Sequence, residues 1–130
     1  MSFSYQELDV YYIALGFVDS LHACISNCPD PLNPLIEQLD RSAVEIPLSI
    51  ARLSGEYGDM IPPQEILRVR GIVYMVQSLL EICWQRKMIS EKDSEEFGNT
   101  LIVLARMLAE MSTQSRETSR MQRPQPRPFT

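Results

Sequence analysis

Large side chains recur at alternating steps of three and four along four segments of the chain. This alternation is the seam of helices that pack at a shallow angle, and the two-residue period of a strand fits none of the segments as well. The sequence therefore predicts four amphipathic helices. Their seams are Leu8, Tyr11, Leu15, Val18, His22 and Ile25; Ile36, Leu39, Ala43, Ile46, Ile50 and Leu53; Ile66, Val69, Val73, Val76, Leu80 and Cys83; and Phe97, Leu101, Leu104, Leu108 and Met111.

Helix-start signals support the same division and predict helices over residues 5–27, 34–54, 63–87 and 91–114. Short connections between them favour antiparallel neighbours, so we expect an all-α, up-down-up-down four-helix bundle. The start signals are a capping box of Ser4 and Glu7, Asn33 before Pro34, the pair Pro62 and Pro63, and Ser90 with Asp93.

Pro47 lies in the middle of the second predicted helix. Proline removes one backbone hydrogen bond there and crowds the carbonyl of Ala43, at a cost of about 3 kcal/mol to an isolated helix. We therefore expect tertiary packing to hold a bent second helix in place.

A second apolar stripe runs about 100° around from the seam on the first and third helices. One buried stripe per helix suffices for a bundle of this size, so the second stripe predicts an interface between subunits. The alternative is a wide seam that buries both stripes within one subunit. The predicted interface residues are Val10, Ile13, Phe17, Ile72, Met75, Leu79 and Ile82.

Charge is distributed unevenly along the 130 residues, whose net charge is -5. Residues 116–130 hold four arginines, one glutamate and three prolines, whereas the preceding body has eight basic and sixteen acidic residues. The tail has too few apolar residues to offset the entropy of ordering. We therefore expect a bundle domain over residues 1–115 and a disordered basic tail over 116–130.

Three features favour a cytoplasmic protein. No basic and apolar leader opens the chain, and no apolar run approaches the roughly 18 residues of a membrane span. The three cysteines are an odd number without the spacing of a disulfide framework, which is typical of a reducing compartment.

The segment RSAVEIPLSIA in the second helix resembles the signature of a bacterial family of four-helix-bundle proteins encoded in intervening sequences of large-subunit ribosomal RNA genes. That signature has an arginine, small residues, a valine or leucine, Ser-Ile-Pro, and then Asn-Ile-Ala-Glu-Gly. The resemblance covers roughly residues 5 to 112, and its most specific element is the proline within the helix. The matching residues are Arg41, Ala43, Val44, Ile46, Pro47, Ile50 and Ala51.

The chain departs from the family pattern at the end of this helix. Glu45, Ser49, Arg52 and Leu53 stand where the family has serine, asparagine, glutamate and glycine. The resemblance implies a non-enzymatic bundle that forms a homo-oligomeric ring, usually a pentamer. A related branch, the accessory proteins of diversity-generating retroelements, binds a reverse transcriptase and nucleic acid through basic surface.

Catalytic and cofactor chemistry finds little support in the sequence. The five glycines form no phosphate-binding loop, and one histidine cannot supply the Glu-x-x-His pairs of a di-metal bundle. His22, Cys24 and Cys28 cluster near the end of the first helix, but no second ligand pair accompanies them. We expect a core histidine and two ordinary cysteines there, with no metal, cofactor or small-molecule substrate.

Arginines support a different interpretation, in which the protein binds RNA or a reverse transcriptase. The candidate contacts are Arg41, Arg52, Arg68 and Arg70, and the last three should share one end of the bundle. A ring would repeat that cluster and form a basic rim. The competing interpretation pairs the arginines with Glu45, Glu56 and Glu65. The sequence thus favours a self-assembling interaction scaffold, with an accessory protein for reverse transcriptase or RNA as the alternative.

Overall fold

The computed structural model describes Tyr5 and residues 8–122, with side chains as far as residue 117. It contains four helices, α1 (Asp9–Ser26), α2 (Pro34–Tyr57), α3 (Pro63–Gln85) and α4 (Glu91–Gln122). Each helix packs against the next one along the chain, and α4 packs back against α1. His22 near the end of α1 meets Asp40 near the start of α2, as antiparallel neighbours require. The predicted all-α four-helix bundle is confirmed.

Local capping chemistry sets most of the helix ends. The side chain of Asn33 accepts a hydrogen bond from the backbone N–H of Leu35 at 2.9 Å, which satisfies one free donor at the start of α2. Ser90 accepts from the N–H of Asp93 at 3.1 Å at the start of α4. Gly58 ends α2 with φ of 59°, a conformation that L side chains rarely adopt.

The predicted start of the first helix is wrong. Helix α1 begins at Asp9 rather than at residue 5, and its N-cap Leu8 offers no side-chain hydrogen bond. Ser4 and Glu7 of the predicted capping box lie outside the described residues. The carboxylate of Asp9 in the first turn is the favourable feature here, because it faces the positive end of the helix dipole.

The last helix extends beyond its predicted end. Helix α4 runs to Gln122 instead of residue 114, so residues 116–122 of the expected tail are helical. Ser115 donates a hydrogen bond to the carbonyl of Ile61 in the α2–α3 connection, and this contact ties the last part of α4 to the bundle. Residues 123–130 of the predicted tail lie outside the described residues.

The core follows the predicted seams in three helices and departs from them in one. All six seam positions of α2 and of α3 are buried, as are Leu101, Leu104 and Leu108 of α4. In α1 the sequence pattern selected the wrong stripe, because His22 is exposed and Tyr11, Leu15 and Val18 are only half-buried. The residues of α1 that fill the core are Val10, Ala14, Phe17, Leu21 and Ile25.

Pro47 is accommodated inside an unbroken α2. Its ring is buried together with Ala43 and Ile46. Packing of this apolar face against α1 and α3 supplies the stabilisation that the proline removes from the isolated helix.

Candidate interaction surfaces

Three of the seven predicted interface residues belong to the core of the subunit. Val10, Phe17 and Leu79 are only 2%, 3% and 6% exposed, so they have no surface left for a second subunit. For these three residues the structure supports burial within one bundle over the predicted interface. The reason in α1 is that the bundle uses the second stripe as its main seam. Phe17 accordingly meets Phe97 of α4 edge to face, with the ring centroids 5.8 Å apart.

The other four predicted residues keep part of their surface free. Ile13, Ile72 and Ile82 are half-buried, and Met75 is 46% exposed. Arg70, Tyr74 and Gln77 lie on the side of α3 that faces α4. Ile72, Met75 and Ile82 lie around the helix from them, on the side that faces α2. We call this the α2–α3 face.

Ile13 lies on the opposite side of the bundle. It shares one side of α1 with Phe17 and with Cys24, whose thiol reaches Asp93 of α4. Val103 and Met107 extend this surface on α4, and we call the three residues Ile13, Val103 and Met107 the α1–α4 face. Val103 is 43% exposed and Met107 is half-buried. Sequence reasoning missed both, although their spacing of four beside the α4 seam is a detectable signal.

Three of the four candidate nucleic-acid-binding arginines are paired with carboxylates on their own helices. Arg52 meets Glu56 at 3.1 Å, one turn away on α2. The three arginine side chains are largely exposed, so each pair contributes little to stability, but each pair lowers the local positive charge. The other two ion pairs join Arg41 to Glu37 at 3.5 Å and Arg68 to Glu65 at 3.8 Å.

Arg70 differs from the other candidate arginines. It forms no ion pair with any described residue, and its guanidinium lies over the ring of Tyr74, 5.9 Å from the centroid. Arg41 pairs with Glu37 rather than with the expected Glu45. The end of the bundle where α2 meets α3 therefore presents paired arginines and one arginine on an aromatic face.

His22 and the nearby cysteines point in different directions. The imidazole of His22 is exposed, with Nδ1 3.2 Å from the Asp40 carboxylate of α2, so the expected core position of this histidine is wrong. Cys24 faces Asp93 of α4 at 3.5 Å instead. Within the described part of the chain, no three His, Cys, Asp or Glu side chains could hold a metal ion.

The environment of Cys24 disfavours its thiolate. Burial, the hydrogen bond to Asp93 and the negative charge of that carboxylate raise the pKa of the thiol from 9.0 to about 11. Burial also raises the pKa of Cys83, which lies in the core. Both thiols are therefore protonated and weakly nucleophilic at neutral pH.

The seven residues that carry the family resemblance differ in burial. Ala43, Ile46, Pro47 and Ile50 are buried and form part of the core face of α2. The remaining three are less buried: Val44 and Ala51 are half-buried, and Arg41 is exposed. Most of the motif thus serves packing within the subunit.

None of the described helices is long and apolar enough to cross a membrane. The chain matches no protein-family model, and searches of curated proteins and of solved structures also found no match.

Proposed function

We propose that this protein is a non-enzymatic interaction scaffold of the cytoplasm that assembles into a homo-oligomeric ring, with five subunits as the family resemblance implies. Partners would dock on the assembled ring, and no cofactor takes part. The observation that carries this proposal is the position of the two half-apolar faces on opposite sides of one bundle.

A ring requires two different faces on each subunit, set at an angle that closes the circle. In a head-to-tail contact, each subunit uses one surface toward the subunit ahead and a different surface toward the subunit behind. The α2–α3 face offers the exposed Met75 and two half-buried isoleucines, and the α1–α4 face offers the half-buried Ile13 and the exposed Val103. Burying these side chains between subunits supplies a favourable hydrophobic term at each contact.

The test is the molar mass in solution by light scattering during size-exclusion chromatography. At about 0.5 M salt, where ionic contacts are screened and apolar ones persist, we expect about five times the chain mass of 14.9 kDa. Met75→Glu and Val103→Glu each place a charge on one face, so each variant alone should be monomeric. An equimolar mixture of the two should form heterodimers, because each variant retains the face that the other has lost.

The matched control is Leu48→Glu. Leu48 is 56% exposed on α2 and belongs to neither face, so this variant should keep the mass of the unmodified protein. A monomeric unmodified protein would contradict the ring. Variants that keep the unmodified mass would show that other surfaces form the contact.

The alternative function, an accessory protein for reverse transcriptase or RNA, draws on Arg41, Arg52, Arg68 and Arg70. Pairing of three of these with carboxylates weakens the attraction to phosphate that this function needs. Salt-dependent RNA binding that is lost on substituting alanine for Arg52, Arg68 and Arg70 would favour the accessory function over the ring scaffold.

A further inference from the structure

Two adjoining depressions, which share Gln77 and Ile102, form a groove along the outer side of the α3–α4 pair. We call the end of the groove near Arg70 its upper end. The upper part has a volume of about 280 Å³ and is lined by Arg70 and Tyr74 on α3 and by Ile102 and Arg106 on α4. Its lower part continues past Gln77 to Trp84 and the start of α4. The groove is separate from both the α2–α3 face and the α1–α4 face.

The groove exposes three large side chains to solvent, two of them above its mid-level and Trp84 toward its lower end. Tyr74 is 60% exposed, Ile102 is 50% exposed and Trp84 is 39% exposed. Aromatic side chains that are this exposed on one surface are enriched where proteins meet. These three large side chains therefore expose apolar surface to solvent.

Opposite charges occupy the two ends of the groove. Arg70 and Arg106 line the upper end, and Glu81, Glu91 and Glu95 line the lower end. None of these five side chains forms an ion pair with another described residue, although Glu81 accepts a hydrogen bond from the side chain of Gln77 at 3.2 Å. A partner for this groove needs acidic groups at one end, basic groups at the other and apolar groups between.

The same groove on a second copy of the chain meets that description. We propose that two copies dock groove to groove, with α3 antiparallel to its counterpart, around a two-fold axis at the level of Gln77 and Gly98. These two residues mark one level because a Cβ at Gly98 would lie 3.3 Å from the Gln77 oxygen. This contact uses residues outside the ring faces and does not rest on the proposed ring.

The helical rise makes the two ends match. At 1.5 Å per residue, Arg70 lies about 10 Å above Gln77 and Trp84 lies about 10 Å below it. Counted from Gly98 along α4, Arg106 lies about 12 Å on the upper side and Glu91 about 10 Å on the lower side. Rotation by 180° therefore places the arginines of each copy against Glu91 and Trp84 of the other.

Charge complementarity also selects this alignment against others. The chain has a net charge of -5, so undirected contact between copies is repulsive. The antiparallel alignment brings two positive charges onto three negative charges at each end, whereas a parallel alignment brings like charges together. Only the antiparallel alignment covers the apolar side chains without opposing like charges.

The experiment uses the full chain carrying Met75→Glu, which removes the ring contact and leaves the groove unchanged. At about 0.02 M salt, where the Debye length exceeds 20 Å, we expect twice the chain mass, and at about 0.5 M salt we expect a single chain. Adding Arg70→Glu and Arg106→Glu should leave a monomer at low salt. Adding Glu81→Lys and Glu95→Lys instead should have the same effect.

Mixing the two charge-reversed proteins is the decisive arm. One has an acidic groove and the other a basic groove, so the equimolar mixture should regain a mass of two chains at low salt. Circular dichroism verifies that each variant is helical. A mixture that stays monomeric would overturn the proposal, as would a groove variant that still forms dimers. Failure of the ring would instead show in the unmodified protein at high salt, so the two outcomes are distinguishable.

Discussion

Leu79 and Met75 lie four residues apart on the same apolar stripe of α3, yet their environments differ. Leu79 is 6% exposed and packs into the core, whereas Met75 is 46% exposed. The two side chains differ by only about 40° around the axis of α3. The boundary between the core and the surface therefore falls between them. Each residue should therefore respond differently to truncation.

We expect Leu79→Ala to lower the free energy of unfolding by about 2–5 kcal/mol, because it leaves a cavity in a packed core. Met75→Ala should change it by less than about 0.5 kcal/mol when the protein is monomeric. Chemical denaturation at about 0.5 M salt in the Val103→Glu background measures both values without a contribution from assembly. Equal losses would contradict the assignment of Leu79 to the core and Met75 to the surface.

Cys24 illustrates how burial and a neighbouring carboxylate together change the chemistry of a residue. With its pKa at about 11, the thiolate fraction at pH 8 is about a hundredfold below that of a free cysteine, and the higher nucleophilicity of a more basic thiolate recovers about tenfold. The folded state also binds this proton more tightly than the unfolded state. The free energy of unfolding should therefore fall as the pH rises from about 9 to about 11.

Alkylation with iodoacetamide at about pH 8 should therefore be about tenfold slower at Cys24 than at a free thiol. Asp93→Asn removes the nearby negative charge, lowers the pKa of Cys24 and should accelerate its alkylation. Peptide mass spectrometry over a time course measures the rate at each cysteine. Glu95→Gln is the matched control, because Glu95 faces the α3–α4 groove. An unchanged rate in Asp93→Asn would contradict the proposed cause.

Among the helices, the ends follow local chemistry where a capping side chain or a glycine is present. Asn33 and Ser90 begin α2 and α4 through side-chain hydrogen bonds, and Gly58 ends α2 with its positive φ. The two ends that lie furthest from their predicted positions, the start of α1 and the end of α4, lack such a device. Helix α1 has Leu8 at its N-cap, and α4 meets no glycine or proline between residue 114 and Gln122.

Replacing a glycine by alanine should change the stability of the protein in opposite directions at Gly16 in a helix and at Gly58 in a turn. Gly16 lies in α1, and a Cβ added there would meet nothing within 4 Å, so Gly16→Ala should stabilise the protein by about 0.5–1 kcal/mol. Gly58→Ala should destabilise it by about 1–3 kcal/mol, because φ of 59° strains an L residue. Thermal or chemical unfolding of both variants provides the measurement. Stabilisation by Gly58→Ala would contradict the backbone conformation at this turn.

Across the bundle as a whole, we propose three distinct surfaces for assembly. The α2–α3 and α1–α4 faces lie on opposite sides and suit a head-to-tail contact, whereas the α3–α4 groove is complementary to itself. In this proposal, apolar burial drives the ring contact and charge alignment drives the groove contact. The dependence of molar mass on salt therefore separates them, with the ring persisting at high salt and the groove contact present only at low salt.

Sequence alone was enough to predict the four helices, their antiparallel order and the core faces of α2, α3 and α4. These follow from periodicity and short connections, which are local properties of the chain. It also indicated Arg52–Glu56 and Arg68–Glu65 pairing, because residues three and four apart on a helix are neighbours.

Tertiary packing was needed to establish which of two apolar stripes on α1 faces the core, and hence that Val10 and Phe17 are buried while His22 is exposed. Both stripes have a helical period, so the choice depends on how α1 rotates to meet α2 and α4, which no local pattern encodes. The groove with its opposite charges likewise exists only because packing brings Arg70 beside Arg106 and Glu81 near Glu95. Residues distant in the chain become one surface through the register between helices.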